Sequence, residues 1–112
     1  MDPSWAKSWW PNEEVQATAW VAHKLSGTDI SHAAAVLAQQ LCAAAGQSVH
    51  LTLALADTRV RLTVRTEHPI DHVAIASWQE QAAGVAHRCG VAGERELWAE
   101  LDRSTEESGA AS

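Results

Sequence analysis

The sequence contains no tyrosine and no phenylalanine, so its whole aromatic content is six tryptophans. Cysteine is nearly absent as well. Cys42 and Cys89 have no CxxC neighbour and sit in apolar stretches, which favours reduced core thiols over a disulfide or metal framework. Cations are scarce: eight lysines and arginines stand against fourteen acidic residues, for a formal charge of −6. Phosphate binding needs clustered cations, so direct nucleic-acid contact is not expected. The one local cluster, Arg59, Arg61 and Arg65, alternates as a solvated strand face does. No run approaches the roughly 18 apolar residues that span a bilayer. The opening MDPSWAKSWWP has no apolar h-region of a secretory signal. The expectations are no membrane contact and a cytoplasmic location.

Missing motifs exclude several chemistries. There is no HExxH, no Cys–His cluster and no GxSxG. Six histidines are present. His68 and His72 have i,i+4 spacing beside Asp71, but Pro69 interrupts any helix across them. No metal site, no cofactor and no catalytic residue is expected.

What is present is enough for one folded domain: 112 residues, 46% of them hydrophobic. A Trp-rich segment spans residues 1–11, with Trp5, Trp9 and Trp10. Three indoles this close are costly to leave in water, so they fold back onto the domain or meet another chain. A first helix is expected from near Pro11–Asn12 to Ser26–Gly27, with Val15, Thr18, Ala19, Ala22 and Leu25 on its buried face. A second runs from Ser31 to Ala45, with Ile30, Ala33, Ala34, Leu37, Leu41 and Ala45 as its stripe and Gly46 as its stop. Alternation predicts strands at Val49–Ala56 and Arg59–Thr66 joined by a tight turn. A third helix is expected over Asp71–Cys89, because Ile75, Trp78, Ala82, Val85 and Cys89 recur at helical spacing. A strand at Glu94–Leu101 follows. A disordered acidic tail is expected over residues 103–112.

The order helix, helix, strand, strand, helix, strand reads as α+β: a small two-layer sandwich with helices on one face of a mainly antiparallel sheet. The other face, with Thr52, Arg61, Thr63, Arg65, Glu96, Trp98 and Glu100, looks outward. Trp98 among charges wants a cover, which the N-terminal tryptophans could supply.

This order, with two short stretches, resembles the histidine-kinase-like ATPase (GHKL or Bergerat) domain over residues 12–102. The likeness is to the short serine-kinase anti-sigma factors common in actinobacteria. VHLTLALADTRVRLTVR is similar to their hairpin. GVAHRCGVAGERELWAEL, above all Trp98 to Leu101, is similar to their last helix and strand. The resemblance implies a Bergerat-like fold, a homodimer, and a protein partner that regulates transcription.

It also implies that the nucleotide chemistry is gone. The family's Mg²⁺-holding Asn and its Glu base correspond to Ala44 and Gln40, neither of which can do that work. Its adenine-contacting Asp corresponds to Thr66. Its phosphate-cradling glycine segment corresponds to Ala76, Ser77 and Trp78, in a shortened lid. The expected function is therefore a non-catalytic regulatory protein-interaction module, acting on a sigma factor or its antagonist. Its candidate interface residues are Trp5, Trp9, Trp10, Trp98, Arg61 and Arg65. The alternatives are a divergent ATP-binding anti-sigma-factor serine kinase and a small-ligand domain in the former nucleotide pocket.

Overall fold

The computed structural model describes residues 4–10, 13–28, 30–56 and 58–102. The expected tail at 103–112 and the expected helix start at Pro11–Asn12 lie outside the described residues. The elements run β1 (Ser4–Trp9), α1 (Glu14–Lys24), α2 (Ser31–Ala45), β2 (Val49–Leu55), β3 (Arg59–Arg65), α3 (His72–Ala83), β4 (Arg88–Ala92) and β5 (Glu96–Asp102). The five strands form one antiparallel sheet in the order β1-β2-β3-β5-β4. The fold is α+β, with the helices layered against one sheet face.

Alternation along each strand builds the core. Val49, Leu51 and Leu53 of β2, Val60, Leu62 and Val64 of β3, and Leu97, Ala99 and Leu101 of β5 are all buried on the helix side. α2 spans its expected range and is stopped by Gly46, whose φ of 65° suits a residue without Cβ. Its buried set is wider than the expected stripe and adds Ala35, Ala38 and Cys42. The reason is position: α2 is the middle helix and packs against both α1 and α3.

Four expectations are corrected. The expected third helix, Asp71–Cys89, ends at Ala83, where the amides of Val85 and Ala86 both turn back to the Ala82 carbonyl. Residues 88–92 form β4 instead, paired along β5. Apolar positions 85, 89 and 91 satisfy a strand's period of two as well as a helix's spacing, so local pattern alone does not separate them. The last strand starts at Glu96, after a turn at Gly93 with φ of 69°.

The first helix buries a different face from the one expected. Ala17, Val21 and Leu25 point inward, while Val15 is 80% exposed. That rotation brings Trp20 edge-on to Trp9, with ring centroids 5.2 Å apart, a pairing worth about 0.5–1.5 kcal/mol beyond burial.

Residues Ser4–Trp9 of the Trp-rich segment, finally, form an edge strand of the sheet. Trp5, Lys7 and Trp9 lie opposite Leu53, Leu51 and Val49 and share their helix-side face. Trp9 is buried, and Lys24 lies over the Trp5 ring at 5.5 Å. Of the two fates open to these indoles, Trp5 and Trp9 take the inward one. They therefore do not cover Trp98, which stands on the opposite face.

Candidate functional sites: the α2–α3 cleft and the open sheet face

Two regions carry the sequence-derived candidates. The first is a cleft of about 230 Å³ between α2 and α3, lined by Gln40, Ala43, Ala44, Ala74, Ser77, Trp78 and Gln81. Helical spacing explains the assembly. Gln40, Ala43 and Ala44 share one face of α2, and Ala74, Ser77, Trp78 and Gln81 share one face of α3.

Four of the six positions that the resemblance matches to a nucleotide site, Gln40, Ala44, Ser77 and Trp78, meet here. The other two do not. Thr66 is buried at the end of β3, where its hydroxyl donates to the His68 carbonyl at 2.7 Å and its amide donates to Arg95. Gln47 clamps the same turn, its amide donating to the His68 carbonyl and accepting from the His68 amide. Ala76 lies in a separate hollow with His72, Ile75, Val91 and Gly93.

The cleft is chemically neutral: none of its lining residues carries a carboxylate, an imidazole or a cation. ATP–Mg²⁺ does not fit such a lining, because Ala44 offers no oxygen to a hard cation and nothing there balances phosphate charge. Two polar atoms at the cleft stand out. Trp78 is 1% exposed, and its Nε1 has no hydrogen-bond partner among the described residues; the Gln40 Oε1 is likewise buried and unpartnered. Each such group costs about 1–3 kcal/mol. Ala43, Ala74 and Gln81 were not anticipated, although their spacing from Ala44 and Trp78 is the signal that places them.

The second region is the sheet face turned away from the helices. Trp98 sits midway along β5, opposite Thr63 on one side and Gly90 on the other. The Arg61 guanidinium lies over the indole, 4.5 Å from its centroid, a favourable cation–π geometry. A Cβ on Gly90 would fall 2.6 Å from the Trp98 ring, so glycine is what lets the indole lie flat against β4. Trp98 is covered by its own sheet.

The neighbouring charges neutralise each other. Glu100 is 6% exposed and is approached by Arg88 at 2.9 Å, Arg61 at 3.4 Å and Arg59 at 3.8 Å. Arg88 also pairs with Asp102, and Arg65 pairs with Glu96 at 3.3 Å. The hydrogen bonds to Glu100 and Asp102 hold the Arg88 guanidinium above its ordinary pKa. Arg88 in turn holds the Asp102 carboxyl below its own. Four guanidinium groups face three carboxylates here, so most of the charge on this face is compensated within it.

A groove of about 350 Å³ opens at the β1 end of the same sheet, with Ser8, Trp10, His50, Arg65 and Glu67 in its lining. Trp10 is 70% exposed there, and its amide is tied to the Glu13 carboxylate at 2.7 Å. Ser8 Oγ and His50 Nδ1 are 2.7 Å apart. Of the candidate interface residues, Trp10, Trp98, Arg61 and Arg65 therefore lie on this face or at its rim, Trp5 is half-buried at the edge, and Trp9 is interior.

Among the described residues, no three His, Cys, Asp or Glu side chains converge as a metal site, and no helix is long and apolar enough to cross a membrane. His72 is paired with Glu94 at 3.2 Å. Cys42 and Cys89 are both free thiols, and burial, with a smaller contribution from Glu14, pushes the Cys42 thiol up to about 11. No protein-family model matches the chain, and no curated protein matches it either.

Proposed function

We propose that this chain is a non-catalytic protein-interaction module that contacts its partner through the open sheet face. The observation that carries this reading is the Trp98–Arg61 stack on a face that none of the described helices covers. Tryptophan and arginine are the residue types most enriched where interfaces concentrate their binding energy. The surrounding ion pairs are already satisfied within the sheet, so a partner meets a surface whose charges need little further compensation. Trp10 at the groove extends the surface past Arg65. The neutral α2–α3 cleft supports the non-catalytic half of the proposal.

The resemblance to histidine-kinase-like ATPases was drawn on the expected element order, to which the observed fold adds strands β1 and β4. On that analogy the proposed partner is a transcription regulator, a sigma factor or its antagonist, and the proposed assembly is a homodimer.

The test compares the wild type with Trp98→Ala, Arg61→Ala and Trp10→Ala as baits in the cytoplasm of the native host, with bound proteins identified by mass spectrometry. One specific partner should be retained by the wild type and lost with Trp98→Ala. Equal recovery by every variant removes the open face from the proposal. A saturable rise in melting temperature with millimolar ATP–Mg²⁺ removes the non-catalytic reading and favours the divergent kinase.

A further inference from the structure

We propose that the α2–α3 cleft binds a small neutral ring bearing an amide edge, a lactam or carboxamide, with its carbonyl on Trp78 Nε1 and its N–H on Gln40 Oε1. This stands apart from the interaction reading and survives its failure.

Three observations meet in this cleft. The first is the pair of orphaned atoms, one a donor and the other an acceptor, on residues that line it from opposite helices. Buried polar groups are almost always paired, so two exceptions on residues that line one cleft single it out as a place for a ligand. An amide edge presents one acceptor and one donor, which complements an indole N–H and a carboxamide oxygen offered from facing helices.

The second is charge. The lining consists of alanine, serine, glutamine and tryptophan side chains, so an ionised ligand would lose its hydration without gaining a counter-charge. This excludes carboxylates, phosphates and ammonium ions as the recognised group. The third is size. At about 230 Å³ the cleft is smaller than the roughly 300–1,000 Å³ typical of drug-sized ligand sites. It has room for a single ring.

Apolar walls from Ala43, Ala44 and Ala74 suit the faces of such a ring. Both orphaned atoms are shielded from solvent, so the half-buried Gln40 side chain swings out to admit the ligand and returns to accept its N–H. Gln40 is free to do so, since its oxygen makes no bond that must first be broken.

The experiment is a titration of the full chain with 2-pyridone, read on the indole N–H resonances in nitrogen-15 correlation spectra. The Trp78 resonance is assigned by its loss in Trp78→Phe. The N-methylated pyridone, which keeps the carbonyl but has no N–H, serves as the paired probe. The expected result is a saturable shift of the Trp78 resonance with 2-pyridone and a response weaker by about tenfold or more with the N-methylated analogue. Gln40→Leu should abolish the difference between the two probes while leaving the fold intact. Should Trp78→Phe fail to fold, Gln40→Leu alone still decides, because the probe discrimination is assigned to that oxygen. No saturable shift, an equal response to both probes, or discrimination that persists in Gln40→Leu overturns the proposal. So does a crystal structure in which an ordered water satisfies both atoms and is not displaced by the probe.

Discussion

The two faces of this sheet are built from the same strands by opposite means. On the helix side, β2, β3 and β5 present leucine, valine and alanine to a dry core, and packing does the holding. On the open side the same strands present arginine, glutamate, threonine and one tryptophan, and a buried carboxylate is held by three guanidinium groups. A one-residue shift of any strand would exchange these sets, which is why the register is strongly specified. The comparison separates where stability resides from where the proposed partner would bind. The inner face has little left to offer a partner, and the outer face contributes modestly to stability while presenting the side chains suited to binding.

The largest effect expected on this contrast comes from adjacent positions of β3. Leu62→Ala, at a fully buried site, should cost about 2–5 kcal/mol in urea unfolding, whereas Thr63→Ala next to it should change stability by less than about 0.5 kcal/mol. Comparable losses at the two positions would break the division of labour.

The inner face should fail in alkali. The Cys42 thiol is raised from its ordinary value of 9.0 to about 11. The native state therefore favours the neutral thiol, and the associated stability is present below about pH 9 and lost as pH rises toward about 11. The loss is about 2 kcal/mol and should vanish in Cys42→Ala when that variant is compared with itself at the two pH values. The same burial predicts that a thiol reagent modifies half-buried Cys89 before Cys42.

On the outer face, Gly90→Ala should cost about 1–2 kcal/mol. Overpacking against the Trp98 ring costs about 1–3 kcal/mol, and the smaller unfolded-state gain of a Gly→Ala change, about 0.4–1 kcal/mol, offsets part of it. A red shift of tryptophan fluorescence should accompany the change as the indole leaves its seat. Glu100→Gln should cost a similar 1–2 kcal/mol. This is less than the roughly 3–5 kcal/mol of a fully buried pair, because the partner arginines are 41–53% exposed.

The smallest effect belongs to Asp102. Its pKa is lowered by Arg88, so its contribution is present above the ordinary carboxylate value of 3.8 and is lost as pH falls below it. Asp102→Asn should flatten the acid limb of the melting-temperature profile slightly and leave the alkaline limb unchanged.

Legibility followed range. Helix α2, strands β2 and β3, and the outward set from Thr52 to Glu100 could be read because each is a local periodicity carried by consecutive residues. The meeting of Gln40, Ala44, Ser77 and Trp78 could be anticipated from helical spacing once the two helices were taken to be neighbours. Strand β1 could not be recognised as part of the sheet. Its partner β2 lies some 45 residues away, as in Trp5 opposite Leu53 and Trp9 opposite Val49, and one short edge strand carries no helical or hairpin signal of its own.

Strand β4 was hidden because Val85 and Cys89 fit two periods at once, and only pairing with β5 decides between them. The burial of Glu100 was equally invisible. It depends on Arg59, Arg61 and Arg88 arriving from strands on both sides of β5.

The sequence by itself therefore determined the class of fold, the three helical stretches and the central hairpin. Those follow from residue type and short-range spacing, which act before any long-range contact exists. Only the tertiary structure decided that Trp5 and Trp9 turn inward while Trp10 stays out. It also decided that Trp98 is covered by Arg61 and Gly90, and that an indole N–H and a carboxamide oxygen are left unpaired in one cleft. Those outcomes depend on which distant strands and helices become neighbours, and that is set by burying all the apolar faces at once.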